Sequence, residues 1–191
     1  MDARARRSFE RLSAAVLELA AVKNPETLSV AEIARTAGVH RSTFYEHSDS
    51  PSGLLRAVLR GELDEARERF LGGAHERAWD VAVRDTTLAV LHHLESHRDV
   101  YLRSLASAAD ASLRSLLSEH FRASIRLLVE RGAVRSPVAD PELVARFVAD
   151  GTVGAVSVWL AGEAPRDPEA FLDDFALLVP PWWPLSPDHP D

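Results

Sequence analysis

Residues 28–45 read LSVAEIARTAGVHRSTFY, and the parsing of this run decides the fold. Ser29 and Glu32 make a Ser-x-x-Glu capping box, the mark of a helix that begins at Val30. Val30, Ile33, Ala34 and Ala37 then share one face at helical spacing. Gly38 stands where that helix must stop, because glycine takes the left-handed backbone there without a steric penalty. Val39 follows as an apolar peg. The next segment, 40–47, carries Arg41, Ser42, Thr43 and Tyr45 around one apolar anchor, Phe44. As a helical hairpin of an ordinary core it would have little to bury. As the second helix of a helix–turn–helix it has a use, which is to present polar side chains to the major groove of DNA.

The flanks extend this unit. A helix is expected over 5–22, with Phe9, Leu12, Val16 and Leu19 as its buried stripe. Arg4, Arg6, Arg7 and Arg11 crowd its start, where cations oppose the helix dipole. They read equally as a solvated charge run and as an arm that reaches phosphates or the minor groove. Ser50 and Pro51 suit the cap and first position of a further helix over 51–71, with Leu54, Leu55, Val58, Leu59 and Leu63 apolar. Gly72 and Gly73 end it.

The pattern Leu28-x-Val30-x-x-Ile33-Ala34-x-x-Ala37-Gly38-Val39-x-Arg41-Ser42-Thr43-Phe44-Tyr45-x-His47 resembles the signature of the TetR family of bacterial regulators. The resemblance implies an all-α protein. A three-helix DNA-binding domain (1–49) leads through a connecting helix (50–73) to a ligand-binding and dimerisation domain (74–180), with a Pro-rich tail (181–191). It implies that Val39, His40, Arg41, Ser42 and Thr43 face the groove. Tyr45 and His47, with backbone amides near Thr27 and Ser29, would hold phosphates. Arg41 is the best base reader, because a guanidinium grips guanine bidentately. The sequence departs from the family at Ser48, where relatives carry an aromatic residue, and at Pro51, where they carry Lys. Those departures motivate an alternative, a helical small-molecule or partner-binding protein whose DNA unit has decayed.

Helical periodicity continues over 79–95, 98–107, 111–131, 141–161 and 168–179. Asp140-Pro141 and Asp167-Pro168 are cap-and-proline starts. No segment alternates as a strand does. Helix 141–161 is apolar on several faces, and Gly151 and Gly154 permit a close helix approach. Val144, Val148, Gly151, Thr152, Ala155 and Trp159, with Phe171 and Phe175 from the last helix, are therefore expected at a subunit interface, as the family resemblance also implies. Two half-sites one duplex turn apart require a symmetric dimer. The resemblance implies an effector pocket among the middle helices, for which the candidates are Trp79, His93, His97, Tyr101, Phe121, Ile125 and Phe147.

His93 and His97 share a helical face, but a metal needs three or four ligands and none is forced here, so no metal is expected. The sequence contains no cysteine. With no Gly-x-Ser-x-Gly, phosphate-binding loop or dinucleotide fingerprint either, no catalytic residue and no cofactor are expected. The expected partners are an operator duplex, an unidentified small-molecule effector and a second copy of the chain. No run approaches the roughly 18 apolar residues of a membrane span, and the N-terminus has no apolar signal core, so a cytoplasmic protein is expected. Net charge is −7 over 191 residues, which excludes a protein that coats nucleic acid over its whole surface. Residues 1–48 hold seven basic and six acidic side chains, whereas the remainder hold fifteen and twenty-three. Only the N-terminal unit suits phosphates.

Overall fold

The computed structural model describes residues 3–72, 78–105 and 111–189. Among these residues it has nine α-helices and no strand: α1 (Ala3–Val22), α2 (Val30–Ala37), α3 (Arg41–Tyr45), α4 (Pro51–Arg67), α5 (Trp79–Ser96), α6 (Arg98–Leu105), α7 (Ser112–Glu130), α8 (Pro141–Ala161) and α9 (Pro168–Ala176). A 3-10 turn, Pro25–Thr27, follows α1, and a π-helical turn, Glu68–Gly72, extends α4. The chain clusters into two compact units, Met1–Gly61 with His97–Leu113, and Glu62–Ser96 with Arg114–Asp191. The first unit thus takes in α6, which the sequence alone groups with the C-terminal domain. Gly73, the second glycine of the expected linker, and positions 106–107 of the expected 98–107 helix lie outside the described residues.

In the first unit, α2 and α6 pack on α1 and α3 packs on α2. Leu12, Ala15, Val16 and Ala20 are the buried positions of α1, while Phe9 and Leu19 are only half-buried. The capping box forms as read: Ser29 Oγ accepts from the Glu32 amide (3.2 Å), and Glu32 Oε2 accepts from the Ser29 amide (3.1 Å). Lys23 Nζ lies 2.6 Å from Glu32 Oε1. These contacts, led by Lys23, hold the Glu32 carboxyl down at about 2. Gly38 closes α2 at φ 61°, in the left-handed region. Its amide donates to Arg35 O (3.1 Å) and the Val39 amide to Ala34 O (2.9 Å), so the last carbonyls of the helix are satisfied. Arg11 donates to Gly38 O (3.0 Å) and ties the turn to α1. Arg103 donates to Ala21 O (3.1 Å) and binds α6 to the carbonyl end of α1.

In the second unit, Asp140 and Asp167 cap α8 and α9 through their side chains, each followed by proline at the first position. The core joins Leu71, Ala82, Val83, Ile125, Leu128, Val148 and Ala149. Ion pairs fasten its rim. Arg84 spans Glu169 (2.5 Å) and Asp173 (3.3 Å), and Arg166 meets Glu95 (2.6 Å). Helix α9 ends at Ala176, short of the expected 179, and gives way to turns. The Pro-rich tail is irregular, yet Trp183 is buried in this core with Trp182 and Leu185 against it. Helix α8 is long and apolar enough by composition to cross a membrane. Eight of its residues are buried within the chain, which makes it a core helix by packing.

Replacing Gly38 by alanine puts a methyl group on a left-handed backbone and into the Arg11 guanidinium. The expected loss is about 1–2 kcal/mol, read as a lower denaturant midpoint. Ser29→Ala is expected to cost about 1 kcal/mol through the lost cap.

Candidate functional site

Two places carry the chemistry expected of the chain, one in each unit. The first is α3. Phe44 is fully buried and anchors this five-residue helix. Around it Arg41, Ser42 and Tyr45 are exposed, and Thr43 is half-buried. Tyr45 is 59% exposed, with its ring edge-on to Phe44 at 5.7 Å. His40 takes the cap position with extended backbone (φ −73°, ψ 152°) but makes no side-chain cap. Its carbonyl accepts from the Thr43 (3.0 Å) and Phe44 (3.4 Å) amides, which leaves the imidazole exposed. Val39 is half-buried in the turn.

Three of the expected phosphate contacts are already occupied. The Thr27 amide donates to Asn24 O (2.9 Å) and the Ser29 amide to Glu32 (3.1 Å), so neither is left for a phosphate. The start of α2 retains its first-turn amides at Val30 and Ala31, beside the Glu32 carboxylate. His47 faces α1: Nε2 lies 2.8 Å from Ser8 Oγ, and the ring tilts against Phe9 at 5.6 Å. At the position where the resemblance implies an aromatic, Ser48 donates to Ser50 O (3.0 Å). Ser50 in turn caps α4 by accepting from the Gly53 amide (3.1 Å). The turn is thus closed by hydrogen bonds in place of an aromatic plug.

The second place is a cavity of about 50 Å³ in the C-terminal unit, walled by α5, α7, α8, α9, Leu71 and Trp183. Of the expected pocket residues, Phe121 and Ile125 line it and the other five do not. Trp79 packs half-buried on the core beside it. His93 pairs with Glu62 (3.0 Å). His97 and Tyr101 belong to the first unit, where Tyr101 is fully buried. Phe147 is 72% exposed on the outer face of α8.

The cavity's polar lining was not anticipated. Thr86, Thr87, Ser124 and Thr152 line it, and each hydroxyl donates to the carbonyl four residues earlier on its own helix (2.7, 2.8, 3.0 and 2.7 Å). Burial, with the positive charge of Arg67 behind it, pushes His120 down to about 3, so the ring is neutral near pH 7. Arg67 Nη1 lies 3.3 Å from His120 Nδ1. A guanidinium only donates, so Nδ1 accepts and the proton sits on Nε2. His120 could have been placed from its helical register with Leu113, Leu116 and Leu117. Trp183 could not, because aperiodic sequence carries no facing.

The expected interface residues divide. Val144, Val148, Thr152 and Phe175 are buried within their own chain. Trp159 and Phe171 are half-buried against each other at 5.5 Å. The face of α8 that reaches solvent carries Leu143, Phe147, Gly151, Gly154 and Val158, flanked by Leu177 and Leu178, and an open groove of about 600 Å³ runs along it. A Cβ added at Gly151 or Gly154 would meet nothing within 4 Å.

A TetR family model described as "Transcriptional regulator C-terminal region" matches residues 83–180, just over half of the chain. No curated protein matches by sequence. Among solved structures, a TetR-family regulator from Streptomyces coelicolor has a TM-score of 0.64 and 23% identity, over 93% of this chain and 82% of that one. FadR from Bacillus subtilis, in complex with stearoyl-CoA, has a TM-score of 0.65 and 17% identity, over 90% and 97%. FadR from Thermus thermophilus, a repressor in complex with lauroyl-CoA, has a TM-score of 0.61 and 22% identity, over 89% and 92%. At these identities the likeness is one of fold.

The state of His120 sets an acid limit on the second unit. An unfolded histidine binds its proton near pH 6.5, whereas this one, when folded, does so only near 3. Between those values the unfolded chain holds more protons, so stability falls as pH drops. The contribution is at most about 2 kcal/mol between pH 6.5 and 5. Thermal melts at pH 7 and 5 are expected to differ less in His120→Gln than in the parent.

Proposed function

The chain belongs to the TetR family of transcriptional regulators, and on that premise we propose that it is a homodimeric, ligand-responsive DNA-binding repressor of the bacterial cytoplasm. The observation that carries the reading is α3: a helix too short to contribute much core, held by Phe44, with Arg41, Ser42 and Tyr45 turned outward. In this reading Arg41 reads a base edge. Ser42, Thr43, Val39 and His40 line the same groove, and Tyr45 contacts a phosphate. His47 acts indirectly, by bracing the end of α3 on α1 through Ser8 and Phe9. Thr27 and Ser29 shape the start of α2 and leave phosphates to neighbouring amides.

The dimer reading rests on α8. Each interior glycine costs about 1 kcal/mol of helix stability relative to alanine. Among the described residues, no atom comes within 4 Å of a Cβ built at Gly151 or Gly154. A partner helix lying against them, and covering Phe147, Val158 and Leu178, gives those glycines a purpose. The interface so drawn is Leu143, Phe147, Gly151, Gly154, Ala155 and Val158, one face round from the buried Val144–Val148–Thr152 line. Ligand response is supported by the cavity of the second unit and by the acyl-CoA held in the two FadR proteins of the same fold. An effector acts only by binding one arrangement of the dimer better than the other.

A gel shift on the intergenic DNA upstream of the gene tests the DNA half. The parent is expected to form a complex that weakens steeply with salt, and Arg41→Ala is expected to lose about 1–3 kcal/mol of specific binding. The absence of a complex at any salt would establish the decayed-unit alternative. For the dimer, Phe147→Glu is expected to halve the sedimentation mass while leaving the helical signal unchanged.

A further inference from the structure

A second, smaller cavity, of about 110 Å³, lies in the first unit. It opens between the 3-10 turn ahead of α2, the first turns of α4 and the start of α7. Pro25, Leu55 and Leu113 are the buried, apolar part of its lining. The polar part includes Glu26, Ser52 and Arg56. Two of these side chains carry opposite charges and face one small space without pairing with each other. Arg56 is half-buried, yet among the described residues its guanidinium makes no hydrogen bond and no ion pair. Its Nε is shut off from solvent, which leaves the two terminal nitrogens as the donors a guest can meet. The Glu26 carboxylate is exposed and makes no ion pair among the described residues either. A cation that has lost part of its hydration is ordinarily matched by an acceptor, and here the chain supplies none.

We propose that this cavity binds a small zwitterion, an α-amino acid with little or no side chain, its carboxylate on Arg56 and its ammonium on Glu26. A guanidinium is a planar fork that suits a carboxylate, and an ionised carboxyl group only accepts, which suits an ammonium. Ser52 stands one helical turn before Arg56 on α4, so its hydroxyl reaches the same carboxylate. An anion alone would meet Arg56 but face the charge of Glu26, and a cation alone would meet the reverse. One molecule that carries both charges satisfies both walls. Size narrows the class further. At a water's share of roughly 30 Å³ the space holds about four such groups, close to the five heavy atoms of glycine and short of the larger amino acids. The apolar residues then meet the α-carbon. The site lies wholly in the first unit, so it stands apart from the cavity of the second and from the DNA reading.

Saturation-transfer NMR on the full-length protein, with no DNA present, tests this. The probes are glycine, alanine, leucine, acetate and methylammonium. Glycine and alanine are expected to bind, and the other three to bind at least about tenfold more weakly, because each lacks one charge or exceeds the space. Glu26→Gln changes an exposed side chain and keeps its shape, and is expected to weaken glycine about tenfold through the lost charge. Arg56→Gln is expected to do the same from the other wall, with the melting temperature of each variant confirming the fold. Should Arg56→Gln not fold, Glu26→Gln decides alone. No glycine binding by the parent, acetate or leucine bound as tightly as glycine, or glycine binding unchanged in Glu26→Gln would each overturn the proposal. A gel shift that fails while glycine binds would refute the DNA reading and leave this one standing.

Discussion

The bond from Arg11 to the carbonyl of Gly38 is the contact on which the N-terminal unit turns. A helix that ends in a left-handed glycine leaves its last carbonyls pointing at nothing unless the chain folds back to meet them. Gly38 and Val39 supply two amides, and Arg11 supplies the third donor from another helix. That third donor makes a local turn part of the tertiary fold. It fixes where α2 stops relative to α1, and so where the chain leaves for α3. Phe44 then locks α3 by burial, and His47 closes the far end against Ser8 and Phe9. The arginines at the start of α1 are thus not of one kind. Arg11 is a structural clamp, whereas Arg6 makes only a long, exposed pair with Glu10, which contributes little.

The second unit follows a different logic. Its helices are held by apolar packing, and charged residues act as staples at the rim. Glu142 accepts from both Arg122 and Arg126, which ties the start of α8 to α7. Arg84 and Arg166 do the same between α5 and the α9 region. Such rim pairs set register more than they add stability. Inside, the hydroxyls of Thr86, Thr87, Ser124 and Thr152 are satisfied along their own helices, whereas Arg122 Nε, Trp159 Nε1 and Trp183 Nε1 are buried without a hydrogen-bond partner.

Local chemistry was legible in the sequence wherever a residue's role is decided by its neighbours in the chain. The capping box at Ser29, the glycine stop at Gly38, and the aspartate caps at Asp140 and Asp167 stand where the pattern puts them, and the all-helical fold follows. Facing was legible on α2, whose apolar stripe is narrow. It was not legible on α8, which is apolar all round, so periodicity gives no phase. Val144 and Phe147, three residues apart, exchange roles for that reason: the first is core and the second lies outside. Tyr101 shows another limit, because which helix bundle a short helix joins depends on contacts distant in sequence. Trp183 shows a third, since a buried tail without periodicity leaves no trace beyond its aromatic content.

Lys23 is the only lysine in the chain, and its ammonium sits against the Glu32 carboxylate that completes the cap of α2. Within these 191 residues Lys23 is therefore the single amine side chain that an acylating reagent can meet. A fluorophore coupled there would report from the base of the helix–turn–helix without a cysteine being introduced. Acetylation at that one position would remove the cation and loosen the grip on Glu32, a covalent edit confined to the segment that aims the recognition helix.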